Sequence, residues 1–252
     1  GALTVTYSST FVANDTVTLA GHHDLSLHLA AVFGKGETSV NATGKAVAGG
    51  VAGINGILPF GLLPNNACFS GGHPIFGASC TLKLGSSDGH GGGDFGALSL
   101  GGTGSNVYRG NIANGSRDTY RIGQQVPTET GNMTGPSGQG LQDRLSREPT
   151  SGCGDGSGQD TFNEVFSFGA GGFAKLNCPT SPRVIILPVI NQLASPQPST
   201  ITDFALMYID DYKFNGGKSQ ITGRMVRVNI TDPAAVFGAY TGSGLRIIRL
   251  AQ

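Results

Sequence analysis

The sequence predicts a mainly β protein: a β-sandwich-like or multi-sheet architecture with glycine-rich loops and one or two short helices. Three observations carry that expectation. Glycine supplies 42 of the 252 residues, well above ordinary usage and without the strict three-residue period of collagen. Charged residues make up only 13% of the chain, too few among so many glycines for long amphipathic helices. Apolar residues recur in short period-two runs separated by glycine, serine and asparagine, which is how strands and turns read.

Taken in order, LTVTYSS opens the chain with Leu3, Val5 and Tyr7 alternating against threonine and serine, and Phe11 and the Val17–Leu19 pair follow. Leu25, Leu27 and Leu29 alternate again in DLSLHLA, and TSVNATGKAVAGG continues as strand to a glycine-rich stop. GINGILPFGLLP reads as a buried, turn-containing connector, because Pro59 and Pro64 forbid a regular central strand or helix. SSDGHGGG is a loop and FGALSL a strand. SNVYRGNIANG has helical spacing through Val107, Tyr108 and Ile112 and closes on Gly115, a C-cap glycine. GPSGQGLQDRLSREP is a second short helix, with Leu141 and Leu145 one turn apart and Pro149 as its stop. RVIILPVI is the most apolar strand and belongs at the centre of a sheet, with Pro188 at an edge or on a bulge. NQLASPQPST is a polar loop, FALMYIDDYKF a strand by its aromatic and β-branched content, and QITGRMVRVNI and GLRIIRLAQ end the chain as strands. A boundary near residues 85 to 94 divides an N-terminal β region, 1–85, from a second β-rich region, 86–252, unless the two form one continuous domain.

The formal net charge is zero, so nothing draws the chain towards phosphates, and nucleic-acid binding is not expected. The first hundred residues hold no arginine and three lysines, Lys35, Lys45 and Lys83; later arginines are interleaved with carboxylates as ordinary solvated charge. Cys68, Cys80, Cys153 and Cys178 lack the spacing of a zinc site. Of their three possible pairings, Cys68–Cys80 and Cys153–Cys178 are favoured, since each pair brackets a short loop rich in glycine and proline. Disulfides imply an oxidising compartment, hence an extracellular or cell-surface protein. The opening GALTVTYSST has neither a basic n-region nor a long apolar stretch, so an exported protein would be present in a processed or truncated form.

Several strings suggest chemistry. Gly85-Ser86-Ser87-Asp88-Gly89 matches the nucleophile-elbow pattern and is followed by His90-Gly91-Gly92-Gly93, yet an elbow must lead into a helix, which these glycines forbid. The match is read as accidental, and no catalytic residue or cofactor is expected. His22, His23 and His28 cluster, but on a regular strand His22 and His28 lie about 20 Å apart and His23 points to the other face, which suits no single metal ion. Asp155, Ser157 and Asp160 offer alternating oxygen ligands in a flexible loop, as calcium prefers, although the EF-hand spacing is absent and a solvated loop explains the same string. Asn14, Asn41, Asn114, Asn132 and Asn229 lie in glycosylation sequons, which matter only where a host glycosylates its exported proteins.

The middle of the chain carries a more specific signal. FGALSLGGTGSNVYRGNIANG (95–115), YRIGQQVPTETGNMTGPSGQGLQDRL (120–145) and CPTSPRVIILPVI (178–190) together resemble the ectodomain of tight-adherence (Tad, Flp-type) pilus-assembly proteins of the TadE/TadG-like kind. That family runs from an FG-x-L-x-L strand through IG…TE-x-GNM-x-GP-x-x-QG…R to an RVI-x-x-PV strand, and LTVTYSSTF looks like its VTVT strand. The resemblance implies an exported, β-rich ectodomain that serves pilus biogenesis or surface attachment, without catalytic residues or cofactor. The family's N-terminal membrane helix is absent from this sequence, which puts membrane anchoring of this form in doubt and allows a released, processed subunit. Thr128 to Met133 read as turn and capping chemistry that holds one part of the fold against another.

The expected function is therefore an extracellular structural protein, a pilus or filament subunit or pilus-assembly component. Its partners would be copies of itself or other pilus components, joined by strand pairing. The first segment, Leu3 to Tyr7, alternates as a strand should, but no tight hairpin turn commits it to its own chain. The alternative is a secreted carbohydrate- or calcium-binding adhesion module.

Overall fold

A computed structural model describes residues 1–11, 13–28, 30–84, 95–153, 158–169, 172–193, 197–215 and 218–251. Its strands are β1 (Ala2–Ser8), β2 (Thr16–Ser26), β3 (Glu37–Ile54), β4 (Phe60–Leu62), β5 (Phe69–Ser70), β6 (His73–Pro74), β7 (Ser79–Lys83), β8 (Phe95–Ala97), β9 (Tyr120–Arg121) and β10 (Gln125–Val126). They continue with β11 (Phe166–Phe168), β12 (Ala174–Leu176), β13 (Val184–Ile190), β14 (Ser199–Asn215), β15 (Lys218–Val226), β16 (Val228–Ile230), β17 (Val236–Gly238) and β18 (Leu245–Ala251). The α-helices are α1 (Ser105–Asn114), α2 (Thr134–Leu145) and α3 (Phe162–Val165). The chain is mainly β, as its composition predicts.

Two sheets and a helix pair make three layers. The first sheet has the order β1-β2-β3-β18-β16-β12-β11, with β9 and β17 also on β3. The second runs β7-β15-β14-β13-β4-β8, with β10 on β14, and β5-β6 is a separate hairpin. Strands from before residue 85 and from after residue 94 are neighbours in both sheets, so the two regions share one fold.

Strand β14 shows why the centre is so apolar. Phe204, Leu206 and Tyr208 pack into the core between the sheets, with Val51, Ile54, Val228 and Ile247. Ala205, Met207 and Ile209 point the other way, into a second core with Tyr108, Ile112 and Leu141 of the helices. A strand buried on both faces reads as one hydrophobic run instead of an alternation. The same holds for β13, which lies between β14 and β4. Pro188 is thus neither at an edge nor at the register shift, which falls between Val189 and Ile190. It is tolerated because β13 meets its parallel neighbours only at Ile186 and Val189, on either side of the proline.

Three further expectations are corrected. β3 does not stop at its glycines but runs on to Ile54. Those glycines are points of close approach: a Cβ on Gly50 would lie 2.2 Å from the carbonyl oxygen of Ala239. Gly50→Val is expected to cost about 2–3 kcal/mol, at the severe end for overpacking, since the obstacle is backbone; a urea melt measures it. The proline-flanked connector does contain a short strand, β4, fully buried between β13 and β8. β2 ends at Ser26, so the alternation of DLSLHLA does not continue as strand, and a 3-10 turn at Ala30–Phe33 follows.

Both short helices form where expected. Gly115 closes α1 with a φ of 78°, its N–H bonded to the carbonyl of Asn111. Gly140 brings α2 against α1, since a Cβ there would lie 2.7 Å from that of Ile112. The Thr128–Met133 stretch does act in capping. The buried Glu129 carboxylate accepts the N–H of Gly104 at the start of α1 (3.0 Å), and Asn132 accepts that of Thr134 at the start of α2 (2.9 Å). No helix among the described residues is long and apolar enough to cross a membrane.

Candidate functional site

The first three strands form an arm that extends beyond the core. β1 pairs with β2 along its whole length, and β2 with β3 from Thr16↔Val47 to Ser26↔Glu37. The first segment therefore does find a partner in its own chain. The connection is not a tight turn but a loop gathered around Asp15, whose carboxylate accepts the N–H groups of Thr10 (2.7 Å) and Phe11 (2.6 Å). Phe11 packs edge-on against Phe237 at the base of the arm.

Register sorts the arm's side chains. Residues directly opposite in an antiparallel pair share a face. Leu3, Val5 and Tyr7 therefore stand beside Val17, Leu19 and Gly21, and these beside Ala42, Gly44 and Ala46, with Ile248 and Leu250 of β18 completing the row. Thr4, Thr6, Thr18, His22, Asp24, Ser39, Asn41, Thr43 and Lys45 all fall on the opposite face. The arm is amphipathic, yet its apolar side is open: Leu3 is 69%, Tyr7 67% and Leu250 89% exposed. Val5, Leu19, Leu25, Val40 and Ile248, on the same face, are exposed too. A cavity of about 290 Å³ opens at the root of this face, between Tyr7, Val17, Ala46, Tyr240 and Ile248.

The outer edge is equally bare. β1 is terminal in its sheet, every residue of it is exposed, and its sequence, ALTVTYS, holds neither charge nor proline. Exposed edge strands normally carry such features, since their unpaired N–H and C=O groups template pairing with another chain. On the polar face, His22 bonds Asn41 (2.7 Å) and Asp24 (3.0 Å), and both contacts raise its pKa.

The cysteines pair as expected: Cys68 with Cys80 and Cys153 with Cys178, their Cα atoms 5.4 and 5.8 Å apart. Of the calcium candidates, Asp155 and Ser157 lie outside the described residues. Asp160 is buried within a polar network: one carboxylate oxygen accepts from Ser151 (2.8 Å), the N–H donates to Glu148 (3.2 Å), and the carbonyl accepts from Tyr208 (2.5 Å). Burial pushes the Tyr208 hydroxyl up to about 12. Among the described residues no group of three His, Cys, Asp or Glu side chains is placed to hold a metal. His23 faces away from His22, and His28 lies beyond the end of β2. The Ser87 and His90 string lies outside the described residues. Asn14, Asn41, Asn114 and Asn132 are exposed, whereas Asn229 is half-buried in β16 with its side-chain carbonyl oxygen enclosed.

Sequence reasoning did not single out Leu19, Leu25, Val40, Ile248 and Leu250 as surface residues. Period-two alternation says that a strand has an apolar face but not that the face is left bare. Comparison with protein-family models, curated proteins and solved structures finds no match to this chain. The resemblance to tight-adherence ectodomains rests on the quoted strings alone.

Proposed function

We propose that this chain is an extracellular structural subunit of a pilus or related surface assembly, and that it joins copies of itself through the three-stranded arm. The observation that carries this reading is the uncovered apolar face of the arm beside an unblunted edge strand. A three-stranded ribbon gains independent stability from a covered hydrophobic face, and among the described residues this one has no cover of its own.

A second copy suits both surfaces. Antiparallel pairing of two β1 strands about Val5 would set Leu3 opposite Tyr7 of the other copy and give one six-stranded arm with a continuous apolar face. Among the described strand residues of that face, His23 and, at the root, Arg246 are the basic side chains, and none is a carboxylate. The face measures about 14 by 37 Å, roughly 500 Å² in projection, from strand spacing and rise. Together with edge pairing it approaches the ~800 Å² per partner of a stable interface. Two separate self-contacts let a subunit grow into a fibre. The two disulfides support an oxidising compartment.

Sedimentation velocity tests the reading. The intact chain is expected to run as species heavier than 25.7 kDa. Leu19→Lys with Leu250→Lys should remove the face contact and leave nothing heavier than an edge-paired dimer, while Ser39→Lys with Thr43→Lys, on the polar face, should leave assembly unchanged. A monomeric intact chain at high concentration, or assembly beyond a dimer that survives the first pair of changes, would show the reading to be wrong.

A further inference from the structure

At the arm's root, beside the cavity already described and sharing Tyr240 and Arg246 with it, two arginines are interleaved with three aromatic rings. The Arg227 guanidinium lies 4.5 Å from the centre of Phe76 and 5.4 Å from that of Phe173. Arg246 lies 4.4 Å from Phe173 and 4.7 Å from Tyr240. The succession ring, cation, ring, cation, ring lines an open cleft of about 380 Å³, to which His73 and Pro74 also contribute, a size usual for small-ligand sites.

Cation–π contact occupies the flat face of a guanidinium and leaves its N–H edges free to donate. Neither arginine belongs to any of the four ion pairs among the described residues. The Nε of Arg227 is buried without a hydrogen-bond partner. The Asp203 carboxylate, which interacts with His73, is engaged elsewhere: it accepts the N–H of Phe204 (2.8 Å) and the hydroxyls of Thr241 and Ser243, and burial raises its pKa. The cleft is also fixed in shape. A Cβ on Gly244 would lie 2.3 Å from the Phe76 ring, so the loop before β18 is pressed against the wall.

We infer that this cleft binds an acidic saccharide of the polyuronate type. Carboxylates match the planar donor forks of the two guanidiniums, and the ring edges with Pro74 supply the apolar wall on which the C–H face of a sugar rests. Their shared distances to Phe173 hold the two cations within about 10 Å of each other, close enough to engage carboxylates of one short oligomer. This inference does not rest on self-assembly through the arm.

Calorimetric titration with trigalacturonate, with the neutral maltotriose and with inorganic sulfate tests it. The intact chain is expected to bind trigalacturonate and neither of the others comparably. Arg246→Gln and, as a second variant, Arg227→Gln should each weaken binding by roughly tenfold or more, the usual effect of losing a charged hydrogen bond. Arg117→Gln, on an exposed turn away from the cleft, should bind as the intact chain does. Circular dichroism identifies any variant that fails to fold, and the other arginine then decides. No binding by the intact chain, equal binding of maltotriose or sulfate, or undiminished binding in the folded cleft variants would each overturn the proposal.

Discussion

Arg183→Leu is expected to lower stability by about 3–5 kcal/mol, the range for breaking a buried ion pair from one side. Arg183 and Glu148 are both buried. The guanidinium grips the carboxylate through Nε and through a second nitrogen at 3.1 Å, and also donates to the carbonyls of Ile209 (2.7 Å) and Asp210 (3.0 Å). Leucine at 183 leaves Glu148 in the interior with, among the described residues, the Asp160 N–H as its donor, and frees two carbonyls of β14. The double change Glu148→Leu with Arg183→Leu should recover part of the loss, since no unpaired charge then remains. Urea unfolding midpoints of the three chains test this; equal stability of Arg183→Leu and the parent would refute the central place given to the pair.

Reduction of both disulfides is the second large effect. Cys68–Cys80 and Cys153–Cys178 close segments separated by 12 and 25 residues. Constraint of the unfolded chain by loops of this size is worth about 3 kcal/mol each. Losing both removes about 6 kcal/mol, a large share of the 5–15 kcal/mol typical of a folded domain. Thermal melts with and without reductant should therefore differ by tens of degrees, or the reduced chain should be unfolded at 37 °C. A reduced chain that melts as the oxidised one does would contradict this. The network of Ser151, Asp160 and Glu148 lies next to Cys153, so loss of that bridge should also loosen the Arg183 site.

What the sequence made legible was local. The period-two run of β1, the spacing of α1 and α2, the Gly115 cap and the cysteine pairing all depend on neighbours within about 25 residues, where pattern and chain entropy act directly. The Thr161–Glu164 capping box of α3 is equally local, T-x-x-E being a recognised start signal. Other features have no local signature. β18 lies beside β3 nearly two hundred residues away, and the glycines of β3 read as a stop until the Ala239 backbone is seen against them. The cleft draws Phe76, Phe173, Arg227, Tyr240 and Arg246 from five separate segments, so no spacing announces it. The arm is the more instructive miss. Its alternation marks a strand, but alternation ordinarily marks a face turned to the core, and here that face is turned to solvent.

The measurement that bears most directly on the arm is amide hydrogen exchange of Ala2–Ser8, followed as protein concentration is raised. An edge strand in a monomer keeps half of its backbone groups open to water at every concentration. If copies join through the arm, protection of β1 and of the Leu19 to Leu25 stretch should rise with concentration, in step with the sedimenting mass, while that of the core strands β13 and β14 stays constant. Exchange in β1 that is fast and independent of concentration, under conditions where the chain nonetheless assembles, would place the contact elsewhere and contradict the account.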